Sequence, residues 1–182
     1  MAEWEIPRKN EGTAAKKKQR PSATDKGMSL CCRQSRTEFQ IRRSLAKSAY
    51  SAGEIDCAIK NLIDTGYIND KDYAERFLEI LIGKKRGRRR VLDDLKRHGI
   101  EAALAEKTVR EGYSVEDEKK NAEAAAYKAI KVMPQGRERK KVRDSLYRHL
   151  TSQGYGYDIT AAVMDSVFSR EQDYDYEYTN DD

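Results

Sequence analysis

An internal repeat of apolar residues constrains the fold of this chain more than any other feature. From Leu45 onward apolar residues follow at spacings of five, five and four, and the same spacings follow Leu95. The two sets are Leu45, Tyr50, Ile55 and Ile59, and Leu95, Ile100, Ala105 and Val109. A looser third copy contains Tyr155 and Ile159, and in it either Leu146 or Leu150 matches Leu45. A unit of about 50 residues buries too little surface to be stable alone, so the repeat predicts modules that stack in a row.

The spacing inside the repeat indicates helices. Tyr73, Phe77 and Leu81 recur every four residues, which places them on one helix face. Only three prolines occur in 182 residues, and β-branched residues are sparse through the middle of the chain. We therefore expect an all-α fold, an elongated tandem array of three-helix, helix-turn-helix-like repeats.

Polar residues mark the expected helix starts. Ser35 with Glu38, and Ser51 with Glu54, match the capping box, in which each side chain accepts the other residue's backbone N–H. Tyr50 and Ile55 flank the second box as a hydrophobic staple. Asn69, with Asp72, and Ser114 are the expected caps of two later helices.

These signals divide the chain into five segments. The expected segments are a disordered basic arm over 1–27, helical modules over 28–66, 67–112 and 113–168, and a disordered acidic, tyrosine-rich tail over 169–182.

The charge is unevenly distributed. The net charge is +5, yet the last 13 residues carry one arginine and six acids, which leaves +10 for the rest of the chain. A body this basic indicates an acidic or polyanionic partner. The candidate contacts to a partner or to phosphate are the cations of the middle helices and the turns before them: Arg42, Arg43, Lys84, Lys85, Arg86, Arg88, Arg89, Arg90, Lys96, Arg97, Arg137, Arg139, Lys140, Lys141 and Arg143.

The sequence offers little for catalysis or cofactors. Its three cysteines have no C-x-x-C spacing, which argues against zinc and against a disulfide framework. His98 and His149 close matching Leu-x-Arg-His sequences, and we expect them at equivalent helix ends. No nucleophile and base accompany them, so we expect no enzyme activity and no cofactor. Without an apolar run of about 20 residues or a secretory signal, we expect a cytoplasmic protein without membrane contact.

Several motifs resemble those of the RecX family of RecA regulators. The resemblance is carried by Gly66-Tyr67-Ile68-Asn69-Asp70 with Tyr73, Ala74 and Phe77, by Gly87 with Val91, Leu95, Gly99 and Ile100, and by the Ser35 to Glu38 start with Tyr50, Ile55 and Ile59. Two positions depart: Ala49 stands where the family has glycine, and Leu81 where it often has arginine.

The resemblance implies a helical molecule that binds in the groove of the RecA–DNA filament. It also implies inhibition of the strand-exchange, ATPase and coprotease activities of RecA. We expect the chain to act as a monomer, with phosphate contacts to single- or double-stranded DNA. The alternative is a general nucleic-acid-binding helical protein that acts without RecA.

Overall fold

A computed structural model describes residues 20–134 and 138–177, with side chains up to residue 169. Within these residues the chain forms nine α-helices and no strand, which confirms the all-α prediction. None of these helices is both long enough and apolar enough to cross a membrane. The helices are α1 Ala23–Arg33, α2 Glu38–Lys47, α3 Ala52–Asp64, α4 Asp70–Gly83, α5 Arg88–Arg97, α6 Ala102–Gly112, α7 Val115–Lys131, α8 Arg139–Ser152 and α9 Tyr157–Glu177.

The helices bury three separate apolar clusters, one for each set of three helices. We call α1–α3 the first module, α4–α6 the second and α7–α9 the third. The first cluster is built on Ile41 and Leu45, and the second on Val91 and Leu95. The first helix of the third module contributes only small apolar side chains to the buried core: Ala122, Ala125, Ala126 and Ala129. The first helix of the second module buries Leu78 and Leu81, so the third core is thinner than the second on that side.

Backbone hydrogen bonds fix the register of the repeat. The N–H groups of Tyr50, Ile100 and Tyr155 donate to the carbonyls of Leu45, Leu95 and Leu150, at 3.4, 3.2 and 3.3 Å. Leu150 is thus the counterpart of Leu45, and Leu146 lies one turn earlier. The extra turn belongs to α8, which has 14 residues where α2 and α5 have 10.

The same register corrects the prediction for the histidines. His98 is the C-cap of α5, whereas the C-cap of α8 is Gln153. His149 lies inside α8, where its carbonyl accepts the N–H of Gln153. The two Leu-x-Arg-His sequences are therefore out of phase with the structural repeat, and the histidines are not at equivalent positions.

Most of the helix starts lie where the capping residues predict them. Ser51 and Glu54 form the expected box, with the Glu54 carboxylate 2.7 Å from the Ser51 amide. Asn69 and Ser114 cap α4 and α7 as predicted. The box at Ser35 is wrong: Thr37 caps α2 and pairs with Gln40, so the helix begins two residues after the expected turn.

Helices extend into both of the terminal segments that the sequence predicts to be disordered. Residues 23–27 belong to the predicted arm, but α1 begins at Ala23 because the Ser22 hydroxyl accepts the Asp25 amide. The tail was assigned from 169 onward, but the backbone of α9 continues to Glu177. The remaining predictions for the arm, the end of the tail and Arg137 fall on residues 1–19, 178–182 and 135–137, which lie outside the described residues.

Candidate functional site

The middle helices of successive modules meet end to end at two joints. At the first joint the Thr37 hydroxyl, at the start of α2, donates to the carbonyl of His98, at the end of α5, at 2.7 Å. At the second joint the N–H groups of Gly87 and Arg89, at the start of α5, donate to the carbonyls of Gln153 and Gly154, at 2.9 and 3.2 Å. Each joint thus sets the positive end of one helix dipole against the negative end of the next.

A carboxylate from the following module completes each joint. Asp70 Oδ1 accepts the N–H of Glu38, and Glu118 Oε1 accepts the N–H of Arg88, both at 2.9 Å. Glu118 is buried and also lies 3.3 Å from the Arg88 guanidinium. Burial raises the pKa of the Asp70 carboxyl, although the bond from Glu38 N–H works in the opposite direction. The two modules that meet at each joint are therefore coupled by a charge on one and a helix end on the other.

Two glycines permit the close approach of the helices. Gly99 and Gly154 have φ of +87° and +90°, a conformation that ends helices and favours glycine. A Cβ on Gly99 would lie 2.2 Å from Phe39, and one on Gly154 would lie 2.4 Å from the backbone of Arg90. Ala49 occupies the same position of the first module with φ of +59°, and its carbonyl accepts a hydrogen bond from Arg20.

The first joint contains a histidine that is a hydrogen-bond acceptor. The Tyr73 hydroxyl lies 2.6 Å from His98 Nδ1, and the Gln40 amide nitrogen lies 3.2 Å from the same atom. The Phe77 ring stacks on the imidazole at 4.3 Å between centroids. Burial lowers the pKa of His98, which favours the neutral ring that can accept both donors.

The second joint is supported by two buried tyrosines. The Tyr155 hydroxyl donates to the carbonyl of Lys85 at 2.8 Å, and the Tyr113 hydroxyl donates to the carbonyl of Arg86 at 3.1 Å. Asn121 bonds to the Tyr113 hydroxyl and also accepts the Lys85 ammonium at 2.6 Å. These bonds hold the turn between α4 and α5 against the third module.

An arginine covers the corresponding end of the first module. The Arg20 guanidinium donates to the carbonyls of Ser48 and Ala49, the counterparts of Gln153 and Gly154. It also stacks over the Tyr50 ring at 3.6 Å from the ring centroid. Side-chain N–H groups of Arg20 thus occupy the acceptors that the second joint fills with the N–H groups of the next helix.

Many of the predicted contact cations have partners within the chain. Arg88 pairs with Glu118, and Arg86 bonds to the Gln153 side chain. The other cations with a carboxylate, carbonyl or amide partner are Arg42, Lys85, Arg90, Lys96, Arg97, Arg139 and Lys141. Arg88 and Arg86 belong to the second joint, so the structure gives them a role in holding the modules together.

The remaining described cations are exposed and have no side-chain partner in the described part of the chain. They are Arg43, Lys84, Arg89, Lys140 and Arg143. These five side chains are the free members of the predicted contact set. They are distributed over all three modules and do not form one cluster in the sequence.

Sequence reasoning missed the residues that form the joints. Thr37, Tyr113, Glu118 and Asn121 are buried polar residues, and each bonds to a residue of another module or to one that does. Glu118 is one of three acids in the first turn of α7, which Ser114 caps, so its position in the sequence does not distinguish it. The signal that could have found it lies in α5, which begins with three arginines although the helix dipole disfavours cations at that end.

Comparison with known proteins gives consistent relatives. A family model described as the RecX second three-helix domain matches residues 69–109. The regulatory protein RecX of Clostridium botulinum (strain Alaska E43 / Type E3) is 31% identical over 137 residues, which cover 75% of this chain and 64% of the relative. That of Vibrio campbellii is 27% identical over 140 residues, which cover 75% of this chain and 86% of the relative. The chain thus spans less than two thirds of the length of the clostridial relative.

Solved structures share the fold. A crystal structure of RecX from Lactobacillus salivarius superimposes with a TM-score of 0.67 at 21% identity, covering 79% of this chain and 96% of that one. A second, titled as regulatory protein RecX, gives 0.71 at 18% identity, covering 79% and 70%. The matched module, the relatives and the shared fold agree with one another, and together they support a RecX family protein.

Proposed function

We propose that this chain is a regulator that binds the RecA–DNA filament and inhibits the recombinase, ATPase and coprotease activities of RecA. The observation that supports it most is the similarity over 137 residues to proteins named regulatory protein RecX. The basic body, with +10 outside the last 13 residues, suits a partner that exposes DNA phosphate and acidic side chains.

The inhibitory step is binding, with no bond made or broken. A regulator whose modules are locked by two joints presents its exposed cations in a fixed arrangement, which reduces the conformational entropy lost on binding. By bridging neighbouring RecA protomers it opposes the changes at their interface that accompany nucleotide turnover. The exposed Arg43 and Arg89 are our candidate contacts, since neither side chain has a partner in the described residues.

The test is RecA-catalysed, single-strand-dependent ATP hydrolysis titrated with this protein. We expect inhibition at protein concentrations that leave most of the DNA free. We expect the Arg43→Glu/Arg89→Glu double variant to inhibit at least about tenfold more weakly, as for the loss of about 1.4 kcal/mol of contact energy. Arg88 and Arg90 are left unchanged because their reversal would disturb the second joint.

The matched control reverses two lysines that lie beside acids. Lys60 lies in a groove with Asp56 and Asp64, and Lys107 in a groove with Glu75 and Glu111. We expect the control to inhibit RecA more strongly than the test variant. Equal inhibition by the two variants would mean that inhibition depends on net charge alone. Inhibition that begins only when the DNA is coated would instead indicate the alternative, a general nucleic-acid-binding protein.

A further inference from the structure

A cleft of about 310 Å³ between the second and third modules is lined by four cationic side chains. It lies between the turn that joins α4 to α5 and the helices α7 and α8. Its polar lining is Lys84, Lys85, Arg86, Lys128, His149 and Gln153. Within the described part of the chain no carboxylate lines this cleft.

A groove in the second module has a different character. The groove between α4 and α6, of about 400 Å³, sets Lys71 and Lys107 against Glu75, Glu79 and Glu111. Its charges largely cancel, whereas the cleft carries four formal positive charges from three lysines and one arginine. Such a concentration of one sign is costly unless a counter-charge joins it. The cleft is thus suited to an anion.

Two of the cations are held in place by the second joint. Lys85 has φ of +57°, a left-handed conformation that is strained for a lysine. Its carbonyl accepts the Tyr155 hydroxyl at 2.8 Å and its ammonium bonds to Asn121, while Arg86 bonds to Gln153. The third module therefore maintains a strained turn that directs these cations into the cleft.

The other two cations have no such support. Lys84 and Lys128 are exposed and have no side-chain partner in the described residues. The wall between the cations is apolar, formed by Ala125, Ala129 and the exposed Val132. Fixed donors at one end, free ammonium groups at the rim and an apolar wall suit a ligand with both phosphate and sugar or base surface.

We propose that this cleft binds the phosphate backbone of a single nucleic-acid strand, an inference that deepens the proposed function and rests on it for its setting on the filament. Phosphates recur along a strand at short intervals, so several can meet the cations of one cleft. Lys84 and Lys128 supply the contacts that depend on salt. Lys85 and Arg86 fix the position of the strand, and the wall at Ala125 and Ala129 contacts the sugar.

The experiment measures binding of a fluorescein-labelled oligo-dT to the full chain by anisotropy, over a series of salt concentrations. The test variant is Lys84→Ala/Lys128→Ala, which removes only exposed side chains without partners. The loss of two phosphate contacts should reduce the slope of log affinity against log salt by about 1.4. At about 0.1 M salt this corresponds to a loss of affinity of roughly ten- to thirtyfold.

The control is Lys60→Ala/Lys107→Ala, which lowers the net charge equally at lysines that lie beside carboxylates. We expect the slope of the control to stay within about 0.3 of the parent's. Equal losses in the two variants, or no binding by the parent chain, would overturn the proposal. Circular dichroism melting of both variants verifies that each remains folded.

Two further measurements separate the sources of the phosphate and the two proposals. A test variant that loses affinity for inorganic pyrophosphate but binds oligo-dT like the parent would overturn the assignment to a nucleic-acid strand. If the test variant loses oligo-dT binding but the parent chain does not inhibit RecA, the result would support the cleft and refute the proposed function. Full inhibition of RecA by a test variant that also binds oligo-dT like the parent would refute the cleft alone.

Discussion

At the scale of the residue, His98 Nδ1 is an atom of the first joint whose hydrogen bonds depend on pH. It lies 2.6 Å from the Tyr73 hydroxyl and 3.2 Å from the Gln40 amide, both of which can donate. A protonated ring would place an N–H against the Gln40 amide N–H, and it would bond to Tyr73 only if that hydroxyl became the acceptor. Burial has the largest effect on the pKa of His98 and lowers it. Asp94 raises this pKa and Arg97 lowers it, each by a smaller amount.

We expect this histidine to make the folded chain less stable in mild acid. The pKa of His98 is lowered from 6.5 in the fold, so the unfolded chain binds more protons. The contribution to stability is complete above pH 6.5 and is lost as the pH falls through the lower pKa of the folded state. Urea unfolding between about pH 5 and 7.5 should show this loss, and His98→Gln should reduce it.

His149→Gln is the matched control, because it removes the other histidine of the chain from a position inside α8, away from the first joint. Asp70, whose pKa is raised, is present in all three proteins and cancels from the comparison. The same slope in the parent and in His98→Gln would show that another group senses the acid.

At the scale of the element, α5 is a helix that its own sequence supports poorly. Its N-cap, Gly87, makes no side-chain hydrogen bond, and Arg88, Arg89 and Arg90 occupy its first turn. Cations there oppose the helix dipole, by about 0.3–1 kcal/mol each when exposed. Glu118 and the carbonyl end of α8 supply the missing acceptors and negative charge. The start of α5 is thus stabilised by the third module.

We expect Glu118→Ala to lower the free energy of unfolding by about 1–3 kcal/mol, since it leaves the Arg88 N–H without its buried acceptor. Glu118→Gln keeps an acceptor oxygen and should cost less. Glu116→Ala removes an exposed acid from the first turn of α7 and should lower the free energy of unfolding by about 0.5 kcal/mol. Urea denaturation compares the three, and equal losses for Glu118→Ala and Glu116→Ala would contradict the role of Glu118.

Elements were easier to predict than their joints. The apolar spacing and the caps at Ser51, Asn69 and Ser114 depend on residues close in sequence, so local chemistry was enough. The joints link residues 30 to 70 positions apart, as Arg88 to Glu118 and Lys85 to Tyr155. No local pattern reports such a pairing. The Ser35 box failed because Thr37 and Gln40 offer an equivalent pair two residues later, and the Thr37 hydroxyl also reaches His98.

At the scale of the whole molecule, apolar cores lie within modules and polar contacts lie between them. Each of the three buried clusters is built from one module's own helices and turns, and the first two also include a residue from the turn that follows, Ile68 and Tyr113. Such arrays lose structure unit by unit, because each unit has its own stability and is coupled only to its neighbours.

We expect Gly87→Ala to loosen the third module selectively. A Cβ at Gly87 would lie 2.4 Å from the backbone of Gly154 and Tyr155, so the second joint must open. Hydrogen exchange followed by mass spectrometry should show faster exchange in α7–α9 and at the start of α5, with α1–α3 unchanged. Gly53→Ala, where an added Cβ meets nothing within 4 Å, is the control. Faster exchange spread evenly over all nine helices would indicate one cooperative unit instead.

The arginine over the end of α2 gives the array a terminus. Because each joint sets the N-terminus of one middle helix against the C-terminus of another, the row of modules has a direction, like a polymer whose two ends differ. At the C-terminal end of α2, the carbonyls of Ser48 and Ala49 would receive a further module, but they are already bonded to Arg20. Any added unit must first displace that guanidinium, so growth at this end is capped by a single side chain.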